Sequence, residues 1–157
     1  MEKDNALRNQ LARFLDWDSA HLRFDDAVKD FPAGLRGVRP PGAPHSAWEL
    51  LEHLRIGLWD IVEFSRDSKH VSPEWPKGYW PATIAPASDE AWDESVAAYR
   101  GLLRTLEAMA KDGATDLDAR IPHGDGQTLL REILLAGDHN AYHLGQLVMV
   151  RRMLEAR

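Results

Sequence analysis

Two histidines four residues apart, His139 and His143, are the first residues of this chain whose type and spacing could do chemistry. On a helix, positions i and i+4 share a face, so the two imidazoles can grip one ion. A zinc ion holds neutral imidazole nitrogen at about 2.0–2.1 Å, which such a pair can meet. Spacing alone is weak evidence, because seven histidines in 157 residues produce on the order of 0.3 such pairs by chance. A third histidine, His53, lies in another helical segment that a bundle could bring opposite the pair. Three imidazoles from two helices leave a coordination position for water or substrate, the arrangement of a reactive site rather than a closed structural one. The competing reading is that all three are ordinary histidines, exposed or hydrogen-bonded in a core.

Composition narrows what else the chain can do. With no cysteine, disulfides, thiolate ligands and an internal thiol nucleophile are excluded, and any metal must sit on His, Asp or Glu. Nineteen Lys and Arg against 25 Asp and Glu give a formal net charge of -6, and no basic run is long enough to track phosphates, which argues against nucleic acid as a partner. The opening Met1-Glu2-Lys3-Asp4-Asn5 has no apolar run, and no stretch approaches ~18 apolar residues, so neither a signal peptide nor a membrane span is expected. The expected address is the cytoplasm. The 157 residues predict one domain with a single core.

Four helical segments must position the histidines. Asp4 or Asn5 can cap a first helix over 5–31, with Phe14, Trp17, Phe24, Val28 and Phe31 on one stripe. Residues 32–45 are a Pro- and Gly-rich loop. Ser46-Ala-Trp-Glu49 fits a capping box opening a second helix over 46–65, with Leu50, Leu51, Leu54, Leu58, Ile61 and Val62 apolar. Residues 66–87 hold four prolines with Trp75, Tyr79 and Trp80, aromatics that either wall a substrate pocket or pin the loop over the helices, the second being the expected role. A third helix over 88–111 carries Trp92, Val96, Tyr99, Leu103, Leu106 and Ala110 in strict 4-3-4-3-4 spacing. After a loop containing Pro122-His123-Gly124-Asp125-Gly126, Thr128 caps a fourth helix over 128–155. There Leu130, Ile133, Leu134, Ala141, Leu144 and Val148 line one side, and Leu135, Val150 and Met153 another, so both sides are expected to be buried. Gly137 and Gly145 within it suggest close approach of another backbone. Four helices without a strand predict an all-α four-helix bundle.

The segment Leu134-Leu135-Ala136-Gly137-Asp138-His139-Asn140-Ala141-Tyr142-His143-Leu144-Gly145-Gln146-Leu147 resembles the signature of the DinB/YfiT-like family, and Ser46-Ala-Trp-Glu-Leu-Leu-Glu-His53-Leu54 resembles its second-helix segment. The resemblance covers essentially the whole chain. It implies that His53, His139 and His143 bind a divalent metal, zinc first and nickel also suited, in a bundle of up-down-down-up topology. The 22 residues of 66–87 are long enough for the parallel second and third helices this topology needs. Characterised relatives include transferases that use low-molecular-weight thiols, and others have been regarded as metal-dependent hydrolases. A small-molecule substrate is therefore expected, with any attacking thiol supplied by a cosubstrate. A non-catalytic metal-binding or stress module is the alternative, because no general base is evident, and a homodimer is an allowed assembly.

Three further residues are candidates for a substrate pocket. Gln146, at i+3 from His143 and i+7 from His139, shares their face and either contacts substrate or caps a buried carbonyl. Asp60, at i+7 from His53, and Glu49, at i-4, either orient an imidazole or lie on a solvated surface. His21, on the first stripe, lines the pocket, adds a ligand, or is a core histidine hydrogen-bonded to a neighbour, and its stripe position argues the last. Trp17 and Trp92 are expected in the core, His123 in an exposed turn, and His45, His70 and His123 outside any metal site.

Overall fold

The architecture is known from a computed structural model describing residues 2–156. It is all-helical: α1 (Glu2–Leu15), α2 (Phe24–Val28), α3 (Ala47–Arg66), α4 (Asp89–Lys111) and α5 (Leu129–Glu155), with short 3-10 turns at Ala33–Leu35 and Lys77–Tyr79. Among the described residues there is no strand, only an isolated bridge between Arg120 and Thr128. α3 packs against α4 and α5, α1 against the same two helices, and α2 against α5, around one continuous apolar core.

The clearest expectations hold because their signals are local and strong. Ser46 Oγ accepts from the Glu49 amide at 3.2 Å while Glu49 Oε2 accepts from the Ser46 amide at 2.8 Å, the reciprocal capping that starts α3 sharply. All six apolar residues of the α4 stripe are buried, as are the six of α3. The far end of α4 is closed by buried Arg8, which donates to the carbonyls of Asp112 and Thr115 at 2.7 Å each and of Ala110 at 3.4 Å. A guanidinium there satisfies orphan carbonyls and faces the negative end of the helix dipole.

The first helix departs from expectation. Instead of running over 5–31 it stops at Leu15, and a turn over 16–23 leads into the five-residue α2. Asp16, Asp18 and Ser19 compete with helix by bonding locally: Asp16 accepts from Arg23 Nε at 2.9 Å across the turn, and Ser19 donates to Asp18 at 3.1 Å. α2 ends at Val28, and the chain turns away at Asp30, whose φ of 51° is left-handed. His21 consequently is an exposed turn residue bonded through Nδ1 to the neighbouring Leu22 carbonyl at 2.8 Å, not a core histidine.

α5 also corrects its pattern. Ile133, Leu144 and Val150 are buried, but Leu134, Leu135, Ala141 and Met153 are exposed, so the helix presents less of its surface to the core than its composition suggests. Gly137 does mark a close approach, since a Cβ there would stand 2.0 Å from the Phe14 ring, a side chain rather than a backbone. Gly145 faces open space. Trp92 is buried as expected, Trp17 only partly. In the long loop, Trp75 is 74% exposed with its ring edge-on to Tyr79, whereas Tyr79 and Trp80 are half-buried against α3. No helix among the described residues is long and apolar enough to cross a membrane.

Candidate metal centre

His53 from α3 and His139 and His143 from α5 meet, with their candidate ligand atoms all within 4.8 Å of one another. His53 Nε2 lies 3.0 Å from His143 Nε2 and 3.1 Å from His139 Nε2. Two imidazole nitrogens bound at about 2.0–2.1 Å to one ion stand about 3.0 to 3.4 Å apart, depending on the angle between them, so these separations are those of ligands sharing an ion.

Proton positions sharpen the geometry. His53 Nδ1 is 2.8 Å from the Tyr79 carbonyl oxygen, which can only accept, so Nδ1 carries the proton and donates it there. His143 Nδ1 donates in the same way to Gln146 Oε1 at 3.0 Å. Both Nε2 atoms are then bare and face each other at hydrogen-bond distance with no proton between them. Burial pushes His53 down to about 4, against the opposing pull of the Tyr79 carbonyl, and neighbouring His143 and His45 lower it further. His139 is likewise pushed down to about 4 by burial and by its two histidine neighbours, and His143 is lowered chiefly by burial. A proton is thus a poor occupant near neutral pH, and converging lone pairs of this kind fit a metal cation.

Several residues shape the trio without belonging to it. Trp80 stacks on His53 at 3.9 Å and 4° between planes, and its ring also stacks on His45 at 3.9 Å. Gly57, one turn beyond His53, makes room for His139: a Cβ there would stand 2.8 Å from His139 Cε1. Asp60 does not reach an imidazole of the trio. It accepts from the Tyr79 hydroxyl at 2.7 Å and pairs with His70 Nε2 at 2.7 Å, holding the loop whose Tyr79 carbonyl anchors His53. Glu49 is committed to Ser46 and to Arg39, not to His53. His123 is exposed and bonded to the Phe64 carbonyl at 2.7 Å, and His21 stands on a different cavity.

Beside the trio opens a cleft of about 330 Å³ lined by Pro44, His45, Leu50, Gln146, Met149 and Met153, among others. It shares Gln146 with the hydrogen bonding of His143 and His45 with the Trp80 stack. The sequence offers Tyr79 and Trp80 as pocket walls but not as partners of His53, and does not offer His45 as a site residue, because all three arrive on loops. Gly57 had a signal, a glycine in mid-helix one turn from a candidate ligand.

Residues 16–147 match the family model described as the DinB superfamily. No curated protein and no solved structure matches the chain.

Proposed function

Because the chain belongs to the DinB superfamily, we propose that His53, His139 and His143 bind one divalent metal ion, and that the protein is an enzyme acting with it on a small molecule and a low-molecular-weight thiol. The observation that carries this reading is the pair of bare Nε2 atoms of His53 and His143, 3.0 Å apart, with their Nδ1 protons already given to Tyr79 and Gln146. Zinc is the first ion to expect and nickel the second, since both suit imidazole. Such an ion supplies Lewis acidity that activates a thiol or water at neutral pH.

The chain's own residues orient and shield. Tyr79 and Gln146 hold two imidazoles in the ligating tautomer, as outer partners of a metal site do. Trp80 covers one face of His53 and keeps water from it. The cleft with Met149 and Met153 receives an apolar portion of the substrate. With no cysteine in the chain, the thiol comes from a cosubstrate, which suits the reducing cytoplasm. Ser95, near the start of α4, donates to Glu52, near the start of α3, which supports the parallel course of these two helices that an up-down-down-up arrangement requires.

A second reading, a non-catalytic metal-binding module, draws on one observation: Glu49 and Asp60, the carboxylates expected beside an imidazole, are engaged elsewhere. The two separate experimentally. Protein purified without an affinity tag should contain about one divalent ion per chain by elemental analysis. It should then consume thiol in the presence of a small electrophile, an activity lost in His53→Ala. Turnover with water in place of thiol makes the enzyme a hydrolase, and occupancy without turnover favours the module. Full metal occupancy in a triple variant lacking His53, His139 and His143 overturns the site itself.

A further inference from the structure

Gly145 has no role in the fold of a single chain. A glycine inside a helix weakens it, and the usual reason for one is the close approach of another group. At Gly137 the Phe14 ring fills that space, but nothing stands within 4 Å of a Cβ built at Gly145, which is exposed.

The face of α5 around Gly145 is apolar. Leu134, Tyr142 and Met149 are 47%, 65% and 56% exposed, and Ala141 is exposed among them. With Leu135 and Met153 at its edge, this helix carries half of the exposed large apolar side chains among the described residues. At 3.6 residues per turn, Leu134, Ala141, Tyr142, Gly145 and Met149 fall within about 100° of one another around the helix. A continuous apolar face of this kind marks an interaction surface.

Two charges on the same face identify what covers it. Asp138 stands seven residues before Gly145 and Arg152 seven after, so each lies about 10 Å along the axis from it. Both are exposed. No cation lies three or four residues from Asp138 along α5, where a helical ion pair would need one. Glu155, the one carboxylate so placed for Arg152, is paired with Arg151 at 2.7 Å. A second copy of α5, laid antiparallel with its Gly145 against this one, brings each Asp138 opposite the other copy's Arg152. Met149 then faces Ala141, a long side chain over a short one. The contact is self-complementary, as two-fold symmetry demands, whereas a parallel pairing in register sets like charges against each other.

We propose that the outer face of α5 is a homodimer interface, in which two chains cross antiparallel at Gly145 and Asp138 of each pairs with Arg152 of the other. The interface uses none of the three histidines, so it stands apart from the metal reading. It borders the cleft beside the metal centre through Met149 and Met153.

Sedimentation equilibrium of the full-length, metal-loaded protein should show a dimer that dissociates on dilution. Gly145→Glu meets nothing within its own chain but sets two carboxylates together at the crossing point, and should weaken the dimer at least tenfold. Asp138→Arg and Arg152→Asp should each weaken it similarly, and the two combined should restore it to near wild-type affinity. An independent readout uses the absence of cysteine from the chain: Gly145→Cys supplies a lone thiol, and mild oxidation should link two copies through it at least tenfold faster than through Leu134→Cys at the end of the same face. A wild-type chain that stays monomeric at about 0.1 mM overturns the proposal and leaves the face to a different protein. A dimer indifferent to Gly145→Glu also overturns it, since the copies then meet elsewhere. Failure of the double charge reversal to restore association, or equal rates of linking through the two cysteine variants, overturns the antiparallel crossing at Gly145.

Discussion

Gly57→Ala should separate the stability of the protein from its affinity for metal. Ala is favoured over Gly in a helix interior by about 0.5–1 kcal/mol, so on propensity alone the substitution strengthens α3. The added Cβ, however, would stand 2.8 Å from His139 Cε1. Ordinary carbon contacts lie at about 3.5–4.0 Å, so the ring must retreat by about 0.7 Å or more. Because the obstacle is the far end of a side chain, the fold accommodates this by a rotation about His139 χ angles. A metal site does not, since ligand distances are held within about 0.2 Å. The displacement is several times that tolerance, and we expect metal affinity to fall by at least about tenfold, the lower end of what disturbing a ligand's surroundings costs. Urea unfolding of metal-free protein should give a midpoint equal to or above wild type, while titration against a chromogenic chelator should show the weakened site. Unchanged metal affinity would refute the reasoning, since it would mean His139 is not held where Gly57 admits it.

Alanine at His139, His143 or His53 should each remove most metal binding, measured as ions per chain, because each deletes a direct bond; His45→Ala, His70→Ala and His123→Ala should leave occupancy intact. Acidification should release metal later than the ordinary histidine value of 6.5 implies, with a midpoint near or below the value of about 4 to which burial takes His53 and His139; release complete by pH 6 in a chelator-free dialysis would contradict this. For metal-free protein the sign follows from the same shifts. The unfolded chain takes up protons first, so stability is constant above about 6.5, falls as pH drops from 6.5 toward about 4, and levels below that as far as these two histidines are concerned; urea midpoints across that window check it. Arg8→Met should cost about 2–4 kcal/mol in urea unfolding without altering metal content, because charged hydrogen bonds to three carbonyls at the end of α4 are lost.

The helices that sequence patterning reads best are those whose period is unbroken and whose ends carry their own caps. α4 and α3 satisfy both conditions, with Ser88 and Ser46 as caps. The first segment misled because its apolar residues keep a helical period across the turn at 16–23. Phe14 and Phe24 look like one stripe, yet they face a common cavity from opposite sides of a break. The turn that follows α1 is spanned by the ion pair between Asp16 and Arg23, seven residues apart, and a periodicity argument has no place for such a pair. On α5 the exposed Leu134 and Leu135 follow from the same limit, since composition does not say how much of a helix its neighbours cover.

In the candidate site the division falls between helix and loop. The three histidines were legible because helical spacing puts His139 and His143 on one face and the bundle supplies His53 opposite. What makes His53 competent to ligate was not legible, for it depends on where a loop of low helical content comes to rest. Asp60 binds the Tyr79 hydroxyl and His70, both from that loop, and the Tyr79 carbonyl takes the His53 proton while Trp80 covers its ring. The carboxylate that sequence reasoning placed beside an imidazole therefore acts one step removed. It holds the strap that holds the imidazole, so the tautomer of a helix residue is set by the long connection between α3 and α4 rather than by either helix.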